Sequence, residues 1–237
     1  MSSATLSQGS FSVIQVGSMD RHITPNFEIP AGSFSVFQLV SLVARVFLYD
    51  QILLPVASKI KGKPVRRSFK QRMGIGLIFT SVSMAAVAIV ESIYRRIALE
   101  QGFSDDSQAI VHLSAIWLLP YHFLGGLSVA FVAIGQTTFF YSELPKTMSS
   151  IASNLFILGM AAAMIASFIT STVDDITKRL GGESWVSSNI NKGHYDYYYW
   201  FLAGLGLLNF IYFLACSKAY GPCKEDEGEI SPEGDDI

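Results

Sequence analysis

Apolar residues run in long blocks separated by short charged stretches, and five blocks are long enough to cross a bilayer as helices: residues 33–56, 73–93, 111–140, 149–173 and 197–217. About 20 residues of helix cross a hydrocarbon core about 30 Å thick. Residues 107–142, 147–173 and 197–217 contain no Asp, Glu, Lys or Arg. A shorter block at 4–17 is rich in Ser and Gln and lacks the basic start of a signal peptide. It reads either as a polar leader or as the tail end of a helix whose beginning lies outside this sequence.

Helix punctuation agrees with these limits. Pro30 precedes the first full span, Pro55 closes it, and Gly62-Lys63-Pro64 cannot continue a helix. At about 1.5 Å per residue the third span runs to about 45 Å, longer than the hydrocarbon core, so it tilts, projects, or kinks at Pro120 and Gly125-Gly126. The expected fold is all-α: a polytopic helical membrane bundle of six helices with the first one truncated.

Loop charge orients the bundle. The loop at 57–72 carries Lys59, Lys61, Lys63, Arg66, Arg67, Lys70 and Arg72 with no acid among them, which places it in the cytoplasm. The next loops mix acids and bases and belong outside. Counting along the spans puts both chain ends in the cytoplasm, including an acidic tail at 218–237 of disordered composition.

Composition narrows the function classes. Half the residues are hydrophobic, 15% are charged and the net charge is −2, so the lipid bilayer is the expected surrounding and nucleic acid is not a partner. Cys216 and Cys223 have neither the spacing of a zinc site nor that of a disulfide framework, and the four histidines are scattered. No P-loop, GxSxG, HExxH or CxxC motif is present, so neither an enzyme nor a cofactor is expected.

Ionisable residues inside spans carry more information, because a charge at the bilayer centre costs at least about 2.5–3.5 kcal/mol. Arg45, Asp50 and Glu91 qualify. Arg45 either lines a substrate cavity, or snorkels or pairs with another residue. Asp50 suits a gating or structural clamp between helix ends. Glu91, with Arg95 four residues on, reads as a helix-end ion pair. In the third span Trp117, Tyr121, Ser128, Gly135, Thr138 and Ser142 make a polar and aromatic face, with Gln136 beside it, that either lines a wet cavity or makes interhelical contacts. In the fourth, Gly159, Ala163, Ala166 and Thr170 form a small-residue stripe, and Asn154 is the amide within that span.

Several strings then fall into order: Gly17-Ser18-Met19-Asp20-Arg21, Ile29-Pro30-Ala31-Gly32-Ser33, Gly62-Lys63-Pro64, Gln71-Arg72-Met73-Gly74-Ile75-Gly76, Phe139-Phe140-Tyr141-Ser142 with Pro145, and Asn191-Lys192-Gly193-His194-Tyr195-Asp196-Tyr197. From about Ser7 through Tyr220 the chain resembles the plant nitrate/peptide transporter family, the proton-dependent oligopeptide transporter branch of the major facilitator superfamily. Residues 145–150 and 184–199 resemble most the subfamily of low-affinity phloem nitrate carriers.

The resemblance implies a twelve-helix fold of which this sequence matches the end of the seventh helix through the twelfth. It implies symport of a small solute, nitrate or peptide, with protons, in the plasma membrane rather than the vacuolar one. It also exposes departures. Relatives usually have an acid at the position of Thr138, often another at Val129, and Asp-Arg where this chain has Asp50-Gln51. A substrate cavity is expected from Arg45, Trp117, Tyr121, Gln136, Thr138 and Asn154. Coupled transport is expected only when this bundle is paired with an N-terminal half. The other reading is a non-transporting half-transporter, self-associating or bound to full-length relatives that it modulates.

Overall fold

The computed structural model describes residues 12–24, 27–48, 59, 68–103, 106, 109–143, 151, 154, 164–179, 184–187 and 189–221. A helical segment α1 at 12–17 leads to strands β1 (Met19–Asp20), β2 (His22–Thr24) and β3 (Phe27–Glu28). Helix α2 (Phe34–Leu48) follows a 3-10 turn at Ala31–Ser33, and α3 runs over Phe69–Glu100. Strand β4 (Val111–Ser114) and a second 3-10 turn (Ala115–Leu118) open α4 (Leu119–Glu143), followed by α5 (Met164–Arg179) and α6 (Tyr195–Tyr220). The protein is an all-α helical membrane bundle. Among the described residues three helices are long and apolar enough to cross a bilayer: Phe69–Glu100, Ala115–Glu143 and Tyr195–Tyr220. The end of the span expected at 33–56, much of that expected at 149–173, most of the basic loop and the acidic tail beyond Gly221 lie outside the described residues.

The second span extends beyond 73–93 at both ends, because Lys70, Arg72, Arg95 and Arg96 leave the hydrocarbon without breaking the helix. Its 32 residues rise about 48 Å. It stops where Gly102 takes φ +73°, a left-handed conformation that glycine adopts without a Cβ clash. The amide of Phe103 then reaches Ala98 O at 2.9 Å and that of Gly102 reaches Leu99 O at 3.1 Å, the two bonds of a Schellman end.

The third span begins later than hydropathy suggests. Val111–Ser114 is extended and pairs in parallel with β1, Met19 opposite Val111 and Asp20 opposite Ser114. The Val111 amide donates to Ser18 O at 2.9 Å. Pro120 falls in the first turn of α4, where its missing N–H costs no helical bond.

α3 is the central helix: it packs against α4 and α6, while α2 packs against α4. Between helices already dehydrated by lipid, close packing and hydrogen bonds hold the bundle together. A Cβ on Gly76 would lie 2.5 Å from Val132 Cγ2 and 3.1 Å from Phe131 Cβ, so α3 and α4 touch backbone to side chain there. A Cβ on Gly126 would overlap the Ser41 hydroxyl and the Gln38 carbonyl, which brings α2 equally close to α4. Hydroxyls bridge α3 and α4: Thr80 Oγ1 meets Ser128 Oγ at 2.5 Å, Ser128 Oγ donates to Gly76 O at 2.9 Å, and Ser83 Oγ donates to Tyr121 O at 3.0 Å. The buried core gathers at the strand end of the bundle, where Val16, Met19, Val87, Tyr94, Leu118 and Tyr198 meet. Away from it Leu207, Leu208, Ile211 and Tyr212 of α6 and Leu39, Val40 and Val43 of α2 are exposed apolar surface of the kind that lipid covers.

Candidate functional site

The α2–α4 contact fixes the position of Arg45. Ser41 and Arg45 lie one turn apart on the same face, 0% and 3% exposed. The two helices run parallel here, so with Ser41 set against Gly126, Arg45 falls beside Phe131. Its guanidinium carbon lies 4.2 Å from the centroid of the Phe131 ring. A cation over an aromatic face is held by the ring's quadrupole, and the attraction strengthens when water is excluded. Arg45 is thus buried against protein side chains.

The other residues expected around it are not gathered at one level. Trp117 is exposed in the 3-10 turn at the strand end. Thr138 lies about 30 Å further along the same rod. Its hydroxyl donates to Ile134 O at 2.8 Å within its own helix. Tyr121 is buried, with its ring 4.9 Å from that of His122. Gln136 is half-buried and Asn154 is exposed. Asp50 lies outside the described residues.

A second polar constellation, at the strand end, was missed by sequence reasoning. Glu91 is 1% exposed, and its Oε2 accepts a hydrogen bond from Gln15 Nε2 of α1, which is also 1% exposed. Three residues on, the Tyr94 hydroxyl donates to Asn191 Oδ1, and Asn191 Nδ2 donates to Asp106 O at 2.7 Å. Arg95 meets His194 Nε2 at 3.0 Å, so its guanidinium serves the segment before α6 while the Glu91 carboxylate serves α1. The expected helix-end pairing of Glu91 with Arg95 is therefore replaced by two separate interhelical contacts. Because α3 continues to Glu100, Glu91 is more than two turns inside it. A signal was present in the sequence: Met84, Val87, Ala88, Glu91 and Tyr94 share one helical stripe, so a carboxylate stood on an otherwise apolar, buried face.

At the surface of the strand end, Asp20 accepts from the His22 amide at 3.0 Å and lies 2.8 Å from His22 Nδ1. The His22 backbone bond, then the His22 side chain, hold the Asp20 carboxyl below the ordinary carboxylate range. Among the described residues no group of three or more His, Cys, Asp and Glu is arranged to hold a metal ion.

Comparison with known proteins gives concordant matches. Residues 3–186 match the POT family (PTR2). The chain is 51% identical over 226 residues to Protein NRT1/ PTR FAMILY 1.2 of Arabidopsis thaliana, an alignment covering 94% of this chain and 37% of that protein. It is 51% identical over 225 residues to NRT1/ PTR FAMILY 1.1 of the same plant, covering 94% and 38%. To NRT1/ PTR FAMILY 1.3 it is 42% identical over 224 residues, covering 94% and 44%. The chain thus spans well under half the length of these relatives.

Proposed function

This chain belongs to the POT family, and from that premise we propose that it forms one bundle of a proton-coupled secondary transporter for nitrate or a related small solute. Arg45 is the observation that supports an anionic substrate: a buried cation placed between α2 and α4, backed by an aromatic ring. A guanidinium offers planar donors suited to an oxyanion. The substrate wall in this reading is Arg45 with Tyr121, Gln136 and Thr138 of α4, to which Trp117, Asn154 and a clamp at Asp50 are added as candidates. Thr138 carries no charge toward a substrate amine, which favours nitrate over peptide.

Retention of isotope-labelled nitrate by the purified chain in lipid tests the reading. The native chain retains nitrate, Arg45→Ala loses it and Arg45→Lys recovers part; equal retention by all three removes Arg45 from the site. Coupling is tested separately, in liposomes holding these 237 residues alone. Alternating access needs two bundles rocking about a shared site, so no proton-driven accumulation is expected, and its appearance would refute the one-bundle assignment. The strand end is the outer face in this topology and the C-terminus is cytoplasmic, with the plasma membrane as host.

The exposed apolar faces of α2 and α6 support the second reading, a non-transporting half that associates with full-length relatives. Co-purification with such a relative, together with a change in its uptake, is the outcome that reading requires.

A further inference from the structure

The hydrogen-bond inventory around Glu91 is short by one donor. Gln15 Nε2 donates to Glu91 Oε2, yet the other oxygen of each group, Gln15 Oε1 and Glu91 Oε1, is buried and finds no partner among the described residues. A carboxylate and an amide oxygen are both acceptors, so neither can satisfy the other. Turning the amide over does not help, because it sets oxygen against oxygen in place of the existing bond. Each acceptor buried without a partner keeps a desolvation cost that no hydrogen bond offsets. One added proton resolves both: a carboxylic acid and a primary amide form a reciprocal pair, the amide N–H to one acid oxygen and the acid O–H to the amide oxygen.

The charges nearby do not supply an alternative donor. Asp196 of α6 is a second buried acid within electrostatic reach of Glu91. Arg95, one turn on along the same helix and within electrostatic reach of Glu91, turns Nη2 to His194 Nε2 at 3.0 Å. Although its Nε is buried without a partner among the described residues, it makes no hydrogen bond to the Glu91 carboxyl. Tyr94 of α3 gives its hydroxyl hydrogen to Asn191, and Tyr195 of α6 donates to Ser187 O at 2.6 Å. Among the described residues Tyr199 of α6 also faces Glu91, and α4 brings Tyr121 to the same core.

We propose that Glu91 is a proton-binding site, and that the bound proton closes an acid–amide pair with Gln15 that fastens α1 to α3. The proposal rests on burial and donor count, independent of whether the chain moves nitrate. It is tested without a transport assay, by infrared spectra of the purified full chain in lipid, in H2O and D2O, from acidic to mildly alkaline pH. The native chain is expected to show a protonated-carboxyl C=O band at neutral pH that shifts in D2O. Glu91→Gln removes it, whereas Glu100→Gln, at an exposed helix end, leaves it intact. A neutral-pH spectrum that is the same in the native chain and in Glu91→Gln overturns the proposal, and would mean that water or another donor satisfies an ionised Glu91. Where Glu91→Gln does not fold, Gln15→Leu decides: loss of the amide shifts the C=O band to higher frequency if the pair exists, and an unmoved band overturns it.

Discussion

Tyr94 and Asn191 meet through a hydrogen bond between the side chains of two residues that are 0% and 1% exposed, joining the last two turns of α3 to the turn that precedes α6. Asn191 is also bonded to Asp106 O, so one amide ties three segments that are far apart in the chain. Tyr94→Phe removes the donor and leaves Asn191 Oδ1 buried. We expect a loss of about 1–3 kcal/mol, read as a lower melting temperature in lipid, with Ser92→Ala as a half-buried comparison. An unchanged melting temperature would show that the bond is not formed in the membrane.

Gly76→Ala is expected to force α3 and α4 apart at Val132. Overpacking of this kind costs about 1–3 kcal/mol. The matched control is Gly204→Ala on α6, where a Cβ meets nothing within 4 Å. There alanine should be neutral or stabilising by up to about 1 kcal/mol, since it is the better helix former. Thermal denaturation of both variants compares them directly, and equal losses would contradict the close approach.

Gly102→Ala addresses the end of α3. A Cβ in the left-handed region costs about 1–2 kcal/mol. The expected signature is local: faster hydrogen exchange at the Gly102-position and Phe103 amides, which close the helix, with the middle of α3 unaffected.

The strand-end surface has a pH dependence of fixed sign. The folded carboxyl of Asp20 titrates below its ordinary value of 3.8, chiefly because the His22 amide donates to it. The interaction is therefore fully present above 3.8 and is lost as the pH falls through the lower folded value. Amide exchange at His22 should lose protection over that acidic window in the native chain, and Asp20→Asn should weaken both the protection and its pH dependence. Because Asp20 is at the surface, global stability should hardly change.

Much of the architecture was legible because lipid imposes a strong rule: charge-free runs of sufficient length become helices, and the periodicity within them is secondary. That rule locates α3, α4 and α6, and it marked Arg45 as a charge that needs protein around it. It says nothing of Val111–Ser114, whose apolar composition suits helix and strand alike; the extended form follows from pairing with Met19 and Asp20, a contact between distant parts of the chain. The Gln15–Glu91 contact was hidden for the same reason, since a local partner at i+4, Arg95, gave a sufficient explanation of Glu91 until the helix was seen to continue. Hydropathy also cannot assign depth along a rod, which is why Trp117 and Thr138 shared a face in the pattern while lying near opposite ends of α4.

The parallel pairing of β1 with β4 works through main-chain atoms, the Val111 amide on the Ser18 carbonyl and the ladder beyond it. Its bonds do not involve side chains, but Met19 and Val111 are both fully buried and also pack in the core. An apolar residue of similar volume at Val111 would keep the start of α4 sewn to the chain leaving α1, whereas proline there would remove the amide that bonds Ser18 O. Short as it is, the seam ties two backbones far apart in the chain and so resists sliding of the helices on either side of it.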